Sequence, residues 1–414
     1  MYHQYALDVK SGVIPACKEI KKTVERYFLD LKRNDIFLDQ NEARKVLKFC
    51  GYISHHKGAL AGKPFIVEPW EAFILVSCIC WKWKETGLRR FKEALVFIPR
   101  KNGKTFLSSV VANYFLIADQ GQQDISCYAI NAKQARLAFD GAKKMITHNK
   151  ALKKASKVWA HHVESKRTNS VFEPVNAKAG SQEGRNDSVM ICDELHTHPN
   201  SEMFDVMTLG AAAREESLHF IITTAGTDTT SFCKQFYDQC KTIQRDTTFT
   251  AIFELDEESE IETPHKWIKA NPNLGVSVFE SEIKDTLEKA KIIPHRYSEV
   301  LTKRFNLWRN GEQEFIRESD WLNAFETGEP SVETPTYIGI DLSTASDITA
   351  VWCVQSTGEI GQVRVWGKCY LPSSALERGK KNAEIYQKWV ENGYLEIAGD
   401  RLIDYEKVES GILD

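Results

Sequence analysis

The ten cysteines of this chain include no Cys-x-x-Cys pair, which removes the spacing expected of a zinc knuckle or a dithiol redox centre. The closest pair, Cys78 and Cys80, reads as two residues on opposite faces of a strand. The whole set reads as reduced packing thiols of a cytoplasmic protein, with no zinc site. No long hydrophobic run is present either. The stretch Ala72–Trp81 falls well short of the roughly 20 apolar residues that span a bilayer. Met1–Gly12 lacks the apolar core of a secretory signal. Membrane and secreted classes are therefore not expected. Neither sign of charge is in excess, with 54 Lys/Arg against 57 Asp/Glu, so no global affinity for nucleic acid is announced. Internal repeats and low-complexity tracts are also missing, which sets aside solenoids and disordered tails.

What is there suits a soluble globular protein of two or three domains: 414 residues, 42% hydrophobic and 27% charged. The charge is unevenly placed. From Lys143 to Arg167 there are eight Lys/Arg and one acid, Glu164, whereas Glu254–Glu262 holds six acids in nine residues. Such a basic run is either a solvated face or a surface that contacts phosphates.

The stretch Ala94-Leu-Val-Phe-Ile-Pro-Arg-Lys-Asn-Gly-Lys-Thr105 carries the most information. Ala94–Ile98 reads as a buried strand, Pro99–Gly103 as a tight loop, and Phe106–Leu116 as a helix. Strand, loop, Gly-Lys-Thr and helix form a nucleotide-phosphate cradle, in which N–H groups at the helix start face the phosphates. Asn102 and Gly103 would bind the nucleotide, Lys104 would reach the β- and γ-phosphates, and the Thr105 hydroxyl would hold Mg²⁺. The loop departs from G-x-x-x-x-G-K-[ST], because Ile98 stands where the first glycine belongs. A second segment, Ser188-Val-Met-Ile-Cys-Asp-Glu194, is an apolar run ending in two acids. In a parallel sheet ligands bind beyond the carboxyl ends of the strands. Asp193 would then lie near Mg²⁺, and Glu194 would orient and deprotonate the attacking water. The two segments together point to an ATPase.

Around them, Ile20–Lys32 and Glu42–Phe49 have helical period, and a further helix is expected from Trp70. Strands at Ala94–Ile98, Ser126–Ile130, Val189–Asp193 and His219–Thr224 alternate with helices at Thr105–Ala118, Lys133–His148 and Met203–Ala213. This alternation implies a parallel sheet with helices on both faces. From Asp228 to about Asn310 the pattern is mostly helical. Thr327–Pro335 reads as a polar boundary. Beyond it come strands at Tyr337–Asp341, Ile348–Gln355 and Gly361–Tyr370 and a helix at Ala383–Asn392, the opening of an RNase H-like domain.

In order, Val67-Glu-Pro-Trp70, Ile98–Thr105, Ala179-Gly-Ser-Gln-Glu-Gly-Arg-Asn186, Ile191-Cys-Asp-Glu-Leu-His196, Ile222-Thr-Thr-Ala225, Trp267-Ile-Lys-Ala-Asn-Pro-Asn273, Phe305-Asn-Leu-Trp308 and Gly339-Ile-Asp-Leu-Ser343 resemble the large terminase subunit of tailed phages. The similarity is to the branch of HK97-type phages and prophages. The resemblance implies an α/β chain with a parallel-sheet, RecA/ASCE-like P-loop ATPase domain followed by an RNase H-like nuclease domain. The expected bounds are a helical segment at 1–60, the ATPase core at 61–227, a helical lid or linker at 228–326, and the nuclease at 336–414. The implied function is ATP-driven packaging of double-stranded DNA into a procapsid, with cleavage of concatemers. The implied cofactors are ATP and Mg²⁺, with Mg²⁺ or Mn²⁺ at the nuclease. The implied partners are double-stranded DNA, a portal protein and a small terminase subunit. A ring is expected on the portal and a monomer alone, in the host bacterial cytoplasm without a membrane. The alternatives are a prophage remnant that keeps only ATP or DNA binding, or a helicase-like translocase.

The resemblance also implies residue roles. Arg100 would act as an in-built arginine finger on the γ-phosphate. Thr223-Thr224-Ala225 would be the coupling motif, with Thr224 sensing the nucleotide. Trp70 would lie near adenine. Glu71 stands where many relatives carry glutamine, and a carboxylate only accepts hydrogen bonds where an amide also donates. In the nuclease, two-metal cleavage needs about three carboxylates. Asp341 at the end of the first strand is the first ligand. Asp404, ending an expected strand Leu402–Asp404, is the second, with Asp400 as its alternative and Asp347 as a weaker candidate. The third is expected beyond residue 414, with Glu409 and Asp414 as poor substitutes. The nuclease domain is therefore expected to be incomplete, with an exposed apolar edge and impaired cleavage.

Overall fold

In a computed structural model the described residues are 1–55, 61–175, 180, 182, 184–291, 294–309, 324, 329–345, 347–359, 361–377 and 382–413. Ala179, Ser181 and Glu183 of the Ala179–Asn186 motif, most of 310–328 and Asp414 lie outside them. The chain divides into two units, 1–317 and 318–414.

Helices α1 (Tyr2–Ser11), α2 (Lys18–Asp30), α3 (Gln40–Cys50) and α4 (Pro69–Cys80) open the first unit, with a small hairpin of β1 (Ile36–Leu38) and β2 (Trp81–Trp83). Then follow β3 (Glu93–Phe97), α5 (Lys104–Asn113), β4 (Asp124–Tyr128), α6 (Ala132–His148), α7 (Lys150–Ala155), β5 (Ser156–Val158), β6 (Val163–Ser165), β7 (Val171–Pro174), β8 (Val189–Asp193), α8 (Glu202–Gly210), β9 (Leu218–Thr223), α9 (Phe232–Thr242) and β10 (Thr248–Ile252). The main sheet has the order β10-β3-β9-β8-β4-β7-β6-β5. Its strands are parallel from β10 to β7, and β6 and β5 are added antiparallel. β8 and β9 are buried at every position, as strands covered on both faces must be.

Three expectations change here. Cys78 and Cys80 are on a helix, α4, where residues two apart point about 200° away from each other; on a strand they would have shared a face. The run is apolar all round because α4 is buried, so periodicity could not separate helix from strand. The segment after Ala225 is not simply helical, since β10 returns to the sheet beside β3. Its Thr-Phe-Thr-Ala-Ile sequence is β-branched and aromatic, a strand signal in a short run. The strands β7, β6 and β5, which extend the sheet past β4, are additions to the expected set. Beyond β10, α10 (Glu280–Lys291) and α11 (Pro294–Phe305) enclose a separate core around Trp267, Leu287 and Phe305.

In the second unit β11 (Thr336–Asp341), β12 (Thr349–Ser356) and β13 (Val363–Leu371) are antiparallel, and β14 (Glu396–Ile397) pairs parallel with β13 after α12 (Ala383–Glu391). The last helix is α13 (Tyr405–Leu413). Among the described residues β11 pairs with β12 alone, and it is exposed along its whole length. Leu402–Asp404 is not a strand. Asp404 instead precedes α13, and its Oδ1 accepts the Glu406 and Lys407 N–H groups at 3.1 and 3.3 Å, an N-cap that a short acidic side chain before a helix favours. The strand in that part of the fold is β14.

Candidate nucleotide site

The carboxyl ends of β3, β8 and β9 lie side by side, and the site is assembled there. Ile98 continues β3: its N–H donates to the Thr223 carbonyl at 2.9 Å and its side chain is fully buried. The position lacks glycine because it extends the sheet and turns no corner. The turn comes later, at Lys101 and Gly103, both left-handed with φ of 75° and 79°. Gly103 is the residue before α5, and that conformation favours glycine.

Lys104 is buried at the start of α5. Its ammonium donates to the Ile98 carbonyl at 3.3 Å and lies 3.5 Å from Glu194 Oε1. Burial pulls its pKa down, against the pull of Glu194 and Asp193. Thr105 is exposed, and its hydroxyl acts to lower the Asp193 carboxyl. Asp193 is buried, and its Oδ1 has no hydrogen-bond partner among the described residues. Burial, reinforced by the charge of Glu194, pushes its carboxyl up to about 7. A buried carboxylate oxygen without a donor, beside a helix-start hydroxyl, fits a hydrated divalent cation. Asp193 and Thr105 would hold it, and it would supply charge neutralisation for the phosphates.

Glu194 sits in the left-handed region, φ 58° and ψ 53°, a costly conformation for a residue other than glycine and one that collects at functional sites. Its N–H donates to the Ile222 carbonyl, and the twist sends its side chain between Lys104 and His196. Burial opposes its ionisation, but the close approach of His196 and the charges of Lys104 and Arg100 outweigh burial and hold it down at about 2. His196 Nδ1 lies 3.2 Å from Glu194 Oε2 and 3.1 Å from Thr223 Oγ1, and the His196 N–H donates to the same hydroxyl. Arg100 is exposed on the loop, its N–H bonded to the Lys303 carbonyl. Arg100, Lys104, Thr105, Gln134, Glu194 and His196 line one cavity of about 400 Å³.

Asn102 does not face that cavity. It is fully buried, donating to Asn271 Oδ1 at 2.9 Å and accepting the Asn273 N–H at 3.2 Å, so its side chain shapes the loop and leaves only backbone for a ligand. Thr224 is likewise turned away: its hydroxyl donates to Asn306 Oδ1 at 2.6 Å in a fully buried setting. Thr223 is the residue of the pair that reaches the acid, through His196. Trp70 is buried, donating its indole N–H to Asn273 at 2.9 Å and meeting Phe253 edge-on. It is one wall of a second, mostly apolar cavity with Tyr5, Ile14, Phe253 and Ile268. Glu71 lies beside Gly103, and its Oε2 accepts the Glu68 N–H at 2.9 Å in a capping box. Burial pushes its carboxyl up to about 8, so near neutrality it keeps a proton and can donate as well as accept, as a glutamine would.

His196, Asn306 and Gln134 are site or support residues that motif reading left without a role. His196 and Asn306 stand inside quoted motifs. Gln134 is separated from them by a helix start and carries no local signal. In the second unit Asp341 ends β11 and is exposed, while Asp404 caps α13 and Asp400 accepts from Ser373. No group of three or more His, Cys, Asp or Glu positioned for a metal occurs among the described residues.

A family model described as the terminase large subunit ATPase domain matches residues 69–242, and one described as the terminase large subunit endonuclease domain matches 242–413. The large terminase subunit of Enterobacteria phage HK97 is 24% identical over 371 residues, covering 86% of this chain and 71% of the relative. Protein YmfN of Escherichia coli K12 is 25% identical over 245 residues, 55% of this chain and 53% of YmfN. The large terminase subunit of Lactococcus phage p2 is 22% identical over 279 residues, with 65% and 51% covered. The chain thus spans about half the length of the last two. The crystal structure of the HK97 large terminase superposes with a TM-score of 0.56 at 22% identity, covering 90% of this chain and 77% of that one, a likeness of fold. No helix among the described residues is long and apolar enough to cross a membrane.

Proposed function

From the premise that this chain belongs to the terminase large-subunit family, with its ATPase and nuclease domains, we propose that the β3–β8–β9 site hydrolyses ATP to drive double-stranded DNA into a procapsid. The observation that carries the reading is the left-handed Glu194, held ionised between Lys104 and His196 at the mouth of the phosphate loop. Lys104 and the free N–H groups at the start of α5 would bind the β- and γ-phosphates. Asp193 and Thr105 would hold Mg²⁺. Glu194 would take a proton from the attacking water, and Arg100 would place positive charge where it develops on the transferred phosphoryl group. Trp70 supports the base side from behind, through Asn273 and the loop. His196 ties the acid to Thr223, the last residue of β9, which gives hydrolysis a route into the sheet.

The portal protein and the small subunit are partners on this reading, as is a ring of subunits on the portal. The test is ATP hydrolysis by the purified chain and by Glu194→Gln, with nucleotide binding measured in parallel. Binding retained with turnover lost by 10²-fold or more supports the assignment. Equal turnover would refute it. Asp341 is the proposed first metal ligand of the nuclease. Mn²⁺-dependent plasmid nicking that disappears in Asp341→Ala would establish that role, and unchanged nicking would remove it.

A further inference from the structure

The site above leaves the Lys143–Arg167 run unused, and the fold gathers it at one place. α7 projects Lys150, Lys153 and Lys154 at i, i+3 and i+4, which is one helix face. All three are exposed, and none has a carboxylate within ion-pair distance among the described residues. The β5–β6 hairpin that follows forms the outer edge of the sheet. Its turn carries Trp159, which is 52% exposed although large aromatics are usually covered. The turn is braced from α6: Lys143 donates to the Trp159 carbonyl at 2.7 Å and Arg136 to the Ala160 carbonyl at 3.3 Å. Lys166 is held against α7 through the Lys154 carbonyl at 3.0 Å. The single acid, Glu164, is already engaged by Lys157 and His162. A rigid, cationic edge with an exposed tryptophan therefore sits on a chain whose acids outnumber its Lys/Arg.

We propose that the α7 face and the β5–β6 turn form a surface that grips the phosphate backbone of duplex DNA. The inference rests on the packaging reading and adds to it the place of contact. Lysines on a helix suit phosphate contacts, because an ammonium is a point charge without the planar fork that reads a base edge. The grip is therefore independent of sequence, as a motor that passes any DNA requires. Trp159 would lie against sugar at the groove edge.

The test uses the full chain and a fluorescent 30-bp duplex, with anisotropy read from 50 to 200 mM NaCl. Lys150→Gln/Lys153→Gln/Lys154→Gln should lower the slope of log Kobs against log salt by about 2.7, from about 0.9 per phosphate contact. Basal ATP hydrolysis and far-UV circular dichroism should be unchanged. Glu164→Gln removes the one acid of the Lys143–Arg167 run and should bind more tightly, a gain that misfolding does not mimic. Two duplexes of different sequence should bind alike. A triple variant with the wild-type slope would overturn the proposal and leave the packaging reading standing. A wild-type chain that fails to bind duplex at 50 mM salt would overturn both. Binding of an acidic peptide that duplex does not displace would assign the face to a protein partner instead.

Discussion

Glu71→Gln should stabilise the protein in a pH-dependent way. The Glu71 carboxyl is buried in the first turn of α4, and burial raises it from 4.5 to about 8. Between those values the folded chain holds a proton that the unfolded chain has released. Stability therefore falls as pH rises from about 4.5 to about 8, because the folded state binds more protons in that window. At about 1.4 kcal/mol per pH unit the full window is worth about 5 kcal/mol as an upper bound, lowered by any water that reaches the carboxyl. Glutamine keeps the acceptor that takes the Glu68 N–H and has nothing to titrate, so the decline should vanish in the variant. With about 2 cal/mol/K per residue, the 317 residues of the first unit shift in melting temperature by about 1.5 °C per kcal/mol. Thermal melts at pH 5 should then nearly coincide for wild type and variant, while at pH 8.5 the variant should melt several degrees higher. An equal difference at both pH values would refute the raised carboxyl. A variant less stable at pH 8.5 than at pH 5, relative to wild type, would reverse its sign.

His196→Ala removes the imidazole that lies 3.2 Å from Glu194 Oε2 and links it to Thr223, so kcat should fall roughly 10-fold with KM little changed. A change in KM alone would count against a positioning role. Asn306→Ala leaves the Thr224 hydroxyl, the Ala225 N–H and the Phe253 carbonyl without their buried partner, and should cost about 3 kcal/mol in urea unfolding. A loss below about 0.5 kcal/mol would mean the three groups find other partners. Thr105→Ala should raise the Mg²⁺ concentration needed for half-maximal turnover while leaving metal-free nucleotide binding near wild type. An unchanged Mg²⁺ requirement would remove Thr105 from the cation site.

The elements that position the site were legible because their signals are local. Ala94–Ile98 and Ser188–Asp193 are short apolar runs that end where the chemistry begins, and both are strands within a residue of the expected bounds. What stayed illegible depends on long-range partners. Asn102 looks like a ligand contact in a loop motif, and only the arrival of Asn271 and Asn273 from some 170 residues away turns it inward. Thr223 and Thr224 are adjacent hydroxyls with nothing in their sequence to rank them. The sheet alternates their directions, sending one to His196 and the other to Asn306. β10 carries no clear strand period, because a five-residue strand between a helix and an acidic run has too few residues to show one. The strand expected at Leu402–Asp404 is a helix start instead, because an acid after two apolar residues fits a strand end and a helix cap equally well in sequence.

The asparagine lock on the phosphate loop has a thermodynamic corollary. A loop whose buried side chain is already tied to Asn271 and Asn273 has spent its ordering entropy during folding, so seating a nucleotide costs little further order there. A cradle of this kind has almost no conformational response of its own to give. A difference between nucleotide states would then register at neighbours outside that lock, and the Glu194 turn with its His196 link to β9 lies within reach of the same cavity. The stiffness of one wall decides which other wall reports the state of the fuel.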